Sequence, residues 1–205
     1  MSDDPLNMQI TIAPDSAGGR HCGGCTLCCK LVPVEILHKV AGERCRFQSH
    51  KGCKVYRTPR FPEECGLWSC RWLVDPDASG LRRPDRSHYV VDVMPDFIGV
   101  SDNASGAVES VAVMQVWCDP EHPDAWRDPA LRRYIEHVAQ AQRAATIIRF
   151  GSRRAIVVFA PCLTDDGAWH ERESEAAPTG SGWQNPLDPL RARSRAMREA
   201  LARDA

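Results

Sequence analysis

Hydrophobic positions in this chain follow two regimes. From His88 onward apolar residues recur with a regular period, whereas before it they are scattered among cysteines, glycines and prolines. Residues 88–94 and 96–100 have the alternation and β-branched content of strands, 102–106 has the composition of a turn, and 108–117 predicts a longer strand. Together they predict an antiparallel meander. Asp128-Pro129 supplies a helix cap and a first-turn proline, and Leu131, Tyr134, Ile135, Val138 and Ala141 then recur at helical spacing. Residues 129–145 should therefore form an amphipathic helix lying on the sheet. The apolar runs 146–150 and 155–159 flank Gly151-Ser-Arg-Arg154, a hairpin signature. The expected fold class is α+β: an irregular cysteine-rich module packed beside an antiparallel sheet with one amphipathic helix, plus a C-terminal helix.

The changes of pattern divide the chain. Residues 1–19 read as a flexible or edge-strand N-terminus, in which 8–12 alternate before Pro14, Gly18 and Gly19 break the run. The cysteine-rich module spans 20–87 and the α+β domain 88–163. Residues 164–187 mix Asp, Glu, Gly, Ser and Pro and read as a polar linker. From Asp188-Pro189 to residue 205 a last amphipathic helix is expected, with Leu190, Ser194, Met197 and Leu201 in a narrow stripe beside five arginines. That stripe suits docking, and it is the place where a protein partner would bind.

Composition and charge narrow the class. A chain of 205 residues with 43% hydrophobic and 26% charged residues belongs among soluble globular proteins. The start has neither a basic region nor an apolar segment of secretory type, and no run approaches the roughly 18 apolar residues of a membrane span. The expected location is the cytoplasm, where clustered cysteines bind metal more often than they form disulfides. Formal net charge is −1, yet residues 20–72 carry ten lysines and arginines against four acids. A basic segment can serve nucleic acid. Metal-bound thiolates, however, bring negative charge of their own, and compensation explains the excess more simply, so nucleic acid is not the expected partner.

The cysteines carry the chemistry. Eight of the ten fall between Cys22 and Cys70: Cys22, Cys25, Cys28, Cys29, Cys45, Cys53, Cys65 and Cys70. Ligands two residues apart let both sulfurs face one ion, and Gly23 and Gly24 suit the tight turn this needs. Four thiolates per tetrahedral ion would consume all eight in two closed zinc sites. Cys22-x2-Cys25-x2-Cys28 also matches part of the bacterial ferredoxin run and departs from it at Cys29, so an iron–sulfur cluster is the alternative cofactor. Adjacent Cys28 and Cys29 point differently and would serve different ions. Cys118 and Cys162 follow apolar strands and read as buried thiols outside the site. His21, His38 and His50 are the substitute ligands within reach. Tyr56, Trp68 and Trp72 are expected to wall the site, with Arg60 and Arg71 donating to sulfur. No hydrolase elbow, Walker A loop, dinucleotide fingerprint or zinc-protease helix is present. An enzymatic role would have to place its chemistry at the metal.

These motifs resemble the CxxCxxCC cysteine-cluster family, described as zinc- or iron-chelating domains. The resemblance rests on Cys22-Gly-Gly-Cys25-Thr-Leu-Cys28-Cys29-Lys30, Gly52-Cys53-Lys-Val-Tyr56, Arg60-Phe-Pro62 leading to Cys65, and Trp68-Ser-Cys70-Arg-Trp72. It covers residues 21–72 only. The family usually has Arg-Pro before the third cysteine group, and here Phe61 intervenes. The resemblance implies a metal-binding domain of unsettled metal. Some relatives are labelled iron–sulfur oxidoreductases, and the domain is similar to the cysteine-rich part of flagellin lysine methylases.

Overall fold

The computed structural model describes residues 19–101 and 108–175. The strand expected at 8–12 and the helix expected at 188–205 lie outside the described residues. The strands are β1 (Gln48–Ser49), β2 (Gly52–Cys53), β3 (Tyr89–Val91), β4 (Asp96–Ser101), β5 (Val108–Cys118), β6 (Thr146–Phe150), β7 (Arg154–Phe159) and β8 (His170–Glu175). The α-helices are α1 (Leu27–Leu31), α2 (Glu63–Leu67), α3 (Arg71–Val74), α4 (Pro84–Ser87) and α5 (Pro129–Gln142). The class is α+β. One six-stranded sheet carries the second half of the chain, and β1 with β2 form a separate two-stranded ribbon in the first.

β5 is the axis of the large sheet. β3 and then β4 run antiparallel along it, from Tyr89 opposite Cys118 to Ser101 opposite Val108. Between them residues 92–95 stand opposite only Met114 and Gln115, a bulge that separates β3 from β4 just beyond Asp92, whose side chain keeps the face of Val90 and Trp117. β6 pairs with β5 in parallel, and β7 and β8 follow antiparallel. The sheet is therefore mixed, not the antiparallel sheet that the sequence suggests. The 14-residue α5 lies between β5 and β6, and a helical crossover returns the chain to the end from which it started, which makes the next strand parallel. A second correction concerns 170–175, which fall in the expected polar linker and instead form β8, paired with β7 along its whole length. Its charged sequence suits an edge strand, where exposed charge discourages pairing with another chain.

α5 starts where its sequence predicts but ends at Gln142, short of 145, and Ala141, expected in the apolar stripe, is exposed while Ala139 is buried. The Asp128 side chain accepts a hydrogen bond from Ala130 N–H at 3.0 Å, Pro129 opens the first turn, and Arg143 in the left-handed region (φ 53°) ends the helix. Alternation then sorts the sheet into two faces. Val91, Val116, Cys118, Ile148 and Val158 pack with Leu131, Tyr134, Ile135 and Val138 of α5. Their neighbours Val90 and Trp117 point the other way and pack with Leu27, Leu31, Ala41 and Cys70. The cysteine-rich module thus covers the face of the sheet opposite α5.

Candidate metal centre in the cysteine-rich module

Short turns aim the sulfurs. Cys25 N–H donates to Cys22 O at 2.8 Å across a turn in which Gly23 has φ +51°, a value that an L side chain resists. The Cys25 sulfur accepts from Leu27 N–H, the Cys45 sulfur from Phe47 N–H at 3.5 Å, and the Cys53 sulfur from Val55 N–H. In each pair the donor lies two residues beyond the cysteine, the disposition expected of a metal knuckle. Cys28 and Cys29 lie in α1, Cys65 lies in α2, and Cys70 caps α3. Cys45 N–H donates to Cys29 O at 2.9 Å, which holds the Cys45 loop beside α1. All ten cysteines are free thiols.

The thiols perturb one another as an overlapping series of neighbours. Burial raises the Cys22 thiol, and Cys25 and Cys29 push it further. Burial likewise takes Cys70 up to about 12, with Cys22 and Cys25 adding to the rise. Cys28 is raised by its hydrogen bond to Cys29 and by burial, and it also feels Cys25 and Cys22. Elsewhere burial raises Cys53, and it takes Cys65 to about 12; both feel Cys29 and Cys45, and Cys65 also feels Cys53. Cys28 and Cys70 thus both feel Cys22 and Cys25, and Cys53 and Cys65 both feel Cys29 and Cys45, while the two groups overlap because Cys22 and Cys28 also feel Cys29. The shared proton has the opposite effect on Cys29, which falls to about 7, with the Lys39 ammonium helping. Lys39 is buried and held by Val32 O at 2.5 Å and Lys30 O at 3.2 Å, so a fixed positive charge faces these thiols.

The sulfurs do not stand at single-ion spacing. Bonds of 2.3 Å around a tetrahedral ion put thiolates about 3.8 Å apart, and among the described residues no three cysteine sulfurs lie within 4.8 Å of one another. The three ligand atoms that do meet that spacing belong to His88, Asp119 and His122, which the sequence reading misses. Asp119-x2-His122 is legible only as a turn, and nothing in the sequence brings His88 to it. None of His21, His38 and His50 joins a group of three. Arg71 donates to Asp92 O at 3.0 Å, not to a sulfur, and Arg60 lies over the Phe47 ring. Tyr56 is exposed and packs edge-on against Phe61, while Trp68 and Trp72 pack against the apolar cluster that includes Cys70, Leu31 and Trp117. Cys118 is buried and Cys162 is half-buried against the α5 core.

Two buried polar joints fasten the module to the sheet. The Asp92 carboxylate accepts from Trp68 Nε1 at 2.7 Å, Met94 N at 2.9 Å, Trp117 Nε1 at 2.9 Å and Gln115 Nε2 at 3.1 Å. Lys30, next to Cys29, donates to both Asp119 oxygens and to Glu121, each at 2.8 Å. Neither acid is conspicuous in the sequence. The chain matches no protein-family model, no curated protein and no solved structure.

Proposed function

We propose that the protein chelates metal through its cysteine-rich module, with Cys22, Cys25, Cys28 and Cys70 serving one centre and Cys29, Cys45, Cys53 and Cys65 the other, and with zinc as the metal. What supports this reading is eight unbridged thiols drawn from five separate short segments, with Cys22 and Cys25 felt by both Cys28 and Cys70 and with Cys29 and Cys45 felt by both Cys53 and Cys65. Burial keeps most of these thiols protonated, so a cation must displace their protons on binding. That step draws the sulfurs inward and replaces an apolar core that the module lacks. Lys39 offsets part of the negative charge of the thiolates. The CxxCxxCC resemblance agrees with this use of the same residues. The test is metal content in single variants. Cys70→Ser and Cys65→Ser should each lose about one zinc per chain, with the pair losing both, whereas Cys118→Ser should lose none. Equal zinc in all four proteins would dismiss the assignment.

A second reading is an iron–sulfur protein that passes electrons or supports a modification reaction. The observation favouring it is local: Cys22-x2-Cys25-x2-Cys28 follows part of the ferredoxin run, and among the described residues no three cysteine sulfurs lie within 4.8 Å of one another. A cubane cluster separates its thiolates further than one zinc does. Acid-labile sulfide and a brown chromophore after anaerobic purification would select this reading.

A further inference from the structure

We propose that His88, Asp119 and His122 bind a divalent transition-metal ion at a site separate from the cysteines and open to solvent. Their three ligand atoms lie within 4.8 Å of one another. Their backbones are tied together as well, since Asp119 N–H donates to His88 O at 2.9 Å and His122 N–H donates to Asp119 O at 2.8 Å. His88 is half-buried in the left-handed region at the end of α4, Asp119 is buried, and His122 is exposed at the rim.

The two imidazoles stack 3.6 Å apart at 19°. An imidazole offers its lone pair in the plane of the ring, so both reach one ion only after His122, the exposed ring, turns out of the stack. Burial and the nearby His122 hold His88 toward the neutral form that ligates metal. Lys30 occupies the face between the two Asp119 oxygens and Glu121 N–H donates to Oδ1 at 3.1 Å, which leaves a lone pair of Oδ2 for an ion. Glu121 shares the Lys30 ammonium and keeps the surroundings from becoming strongly positive. Two imidazoles and a carboxylate suit zinc, iron, cobalt or nickel, and three protein ligands leave a position for water or an incoming ligand. His88 and His122 line a shallow cleft of about 630 Å³ whose walls also include Arg82, Arg127 and Asp124.

The experiment is a Co²⁺ titration of the full chain after loading with no more than two zinc equivalents, which the thiolates take first, followed by visible and near-ultraviolet absorption. The expected result is about one further Co²⁺ per chain, with a d–d band and no thiolate-to-cobalt charge transfer. His122→Ala, a change at an exposed side chain, should weaken this binding at least 10-fold, and Asp119→Asn should weaken it 10- to 100-fold. Cys70→Ser should leave it unchanged, which separates the failure of this site from failure of the cysteine centres. No Co²⁺ bound beyond the thiolates, or undiminished affinity in His122→Ala, would overturn the proposal.

Discussion

The two halves of the molecule hold themselves together by different means. Of the twelve largest fully buried side chains among the described residues, only Leu31 precedes Tyr89; the other eleven belong to the sheet and its helices. That half has a 14-residue helix and an 11-residue central strand. In the cysteine-rich half, helices run four or five residues and strands two, lengths that cannot persist on their own in water. Burying a large apolar side chain contributes about 1.5 to 3 kcal/mol, so the sheet half is stabilised by many such terms and the other half by few. A half with a large apolar core thus lies beside one that meets it through a small apolar cluster and two polar joints. If metal supplies what the module lacks, its removal should separate the halves.

The largest expected effect follows from that. Stripping metal with a strong chelator should cost the module on the order of 10 kcal/mol of folding free energy, while the sheet half retains its structure. Amide hydrogen exchange reads this directly: protection in 22–72 should collapse and protection in 129–159 should persist. Uniform protection before and after would erase the proposed difference between the halves.

Asp92→Ala attacks the joint itself. It leaves the Trp68, Trp117, Gln115 and Met94 donors without their acceptor, and one to three kcal/mol per abandoned buried group, partly relieved by water, suggests a loss of about 4 kcal/mol in urea unfolding. Burial holds the Asp92 carboxyl above its ordinary 3.8, with its hydrogen bonds pulling the other way. A carboxyl raised on folding stabilises the fold fully below its unfolded value and loses that contribution as pH rises through the folded value. Relative to Asp92→Asn, whose amide does not titrate, the wild type should therefore lose ground from about pH 4 upward. Parallel urea midpoints across that range check the sign, and a wild type that gains ground would reverse it.

Arg149→Met tests whether the sheet half also depends on polar joints. Arg149 pairs with buried Asp96 and donates to Gln115 Oε1 at 2.6 Å, and removing one partner of a buried pair strands the other charge at about 3 kcal/mol. The loss should appear in global unfolding with metal content unchanged. The smallest effect belongs to the edge. Glu171→Ala removes contacts of 2.9 Å to Arg127 and Arg132, and for a partly exposed network the change should stay below about 1 kcal/mol.

These halves also differ in how far the sequence reveals them. Period and punctuation carry the sheet half: the Leu131, Tyr134, Ile135, Val138 stripe and the Asp128-Pro129 cap mark α5, and Gly151 marks the turn between β6 and β7. Strand direction is not encoded in alternation, which is why parallel β5–β6 pairing does not emerge. β8 is illegible because His170-Glu-Arg-Glu-Ser-Glu175 has no apolar face, and an exposed edge strand needs none. In the cysteine-rich half the ligand types stand out but their partners do not. Adjacency suggests that Cys28 and Cys29 face different ways, yet their thiols meet in a hydrogen bond, and the electrostatic contact of Cys70 with Cys22 depends on how Trp68, Trp117 and Asp92 meet. Asp92 itself reads as one more polar strand residue, because its burial is created by a tryptophan 24 residues away.

Zinc, iron and acid-labile sulfide measured together on anaerobically purified full-length protein test the central claim most directly. The account predicts about two zinc per chain, without sulfide, lost in step with the thiolate ligands. A chain that carries no thiolate-bound metal and yet keeps the order of residues 22–72 would contradict it.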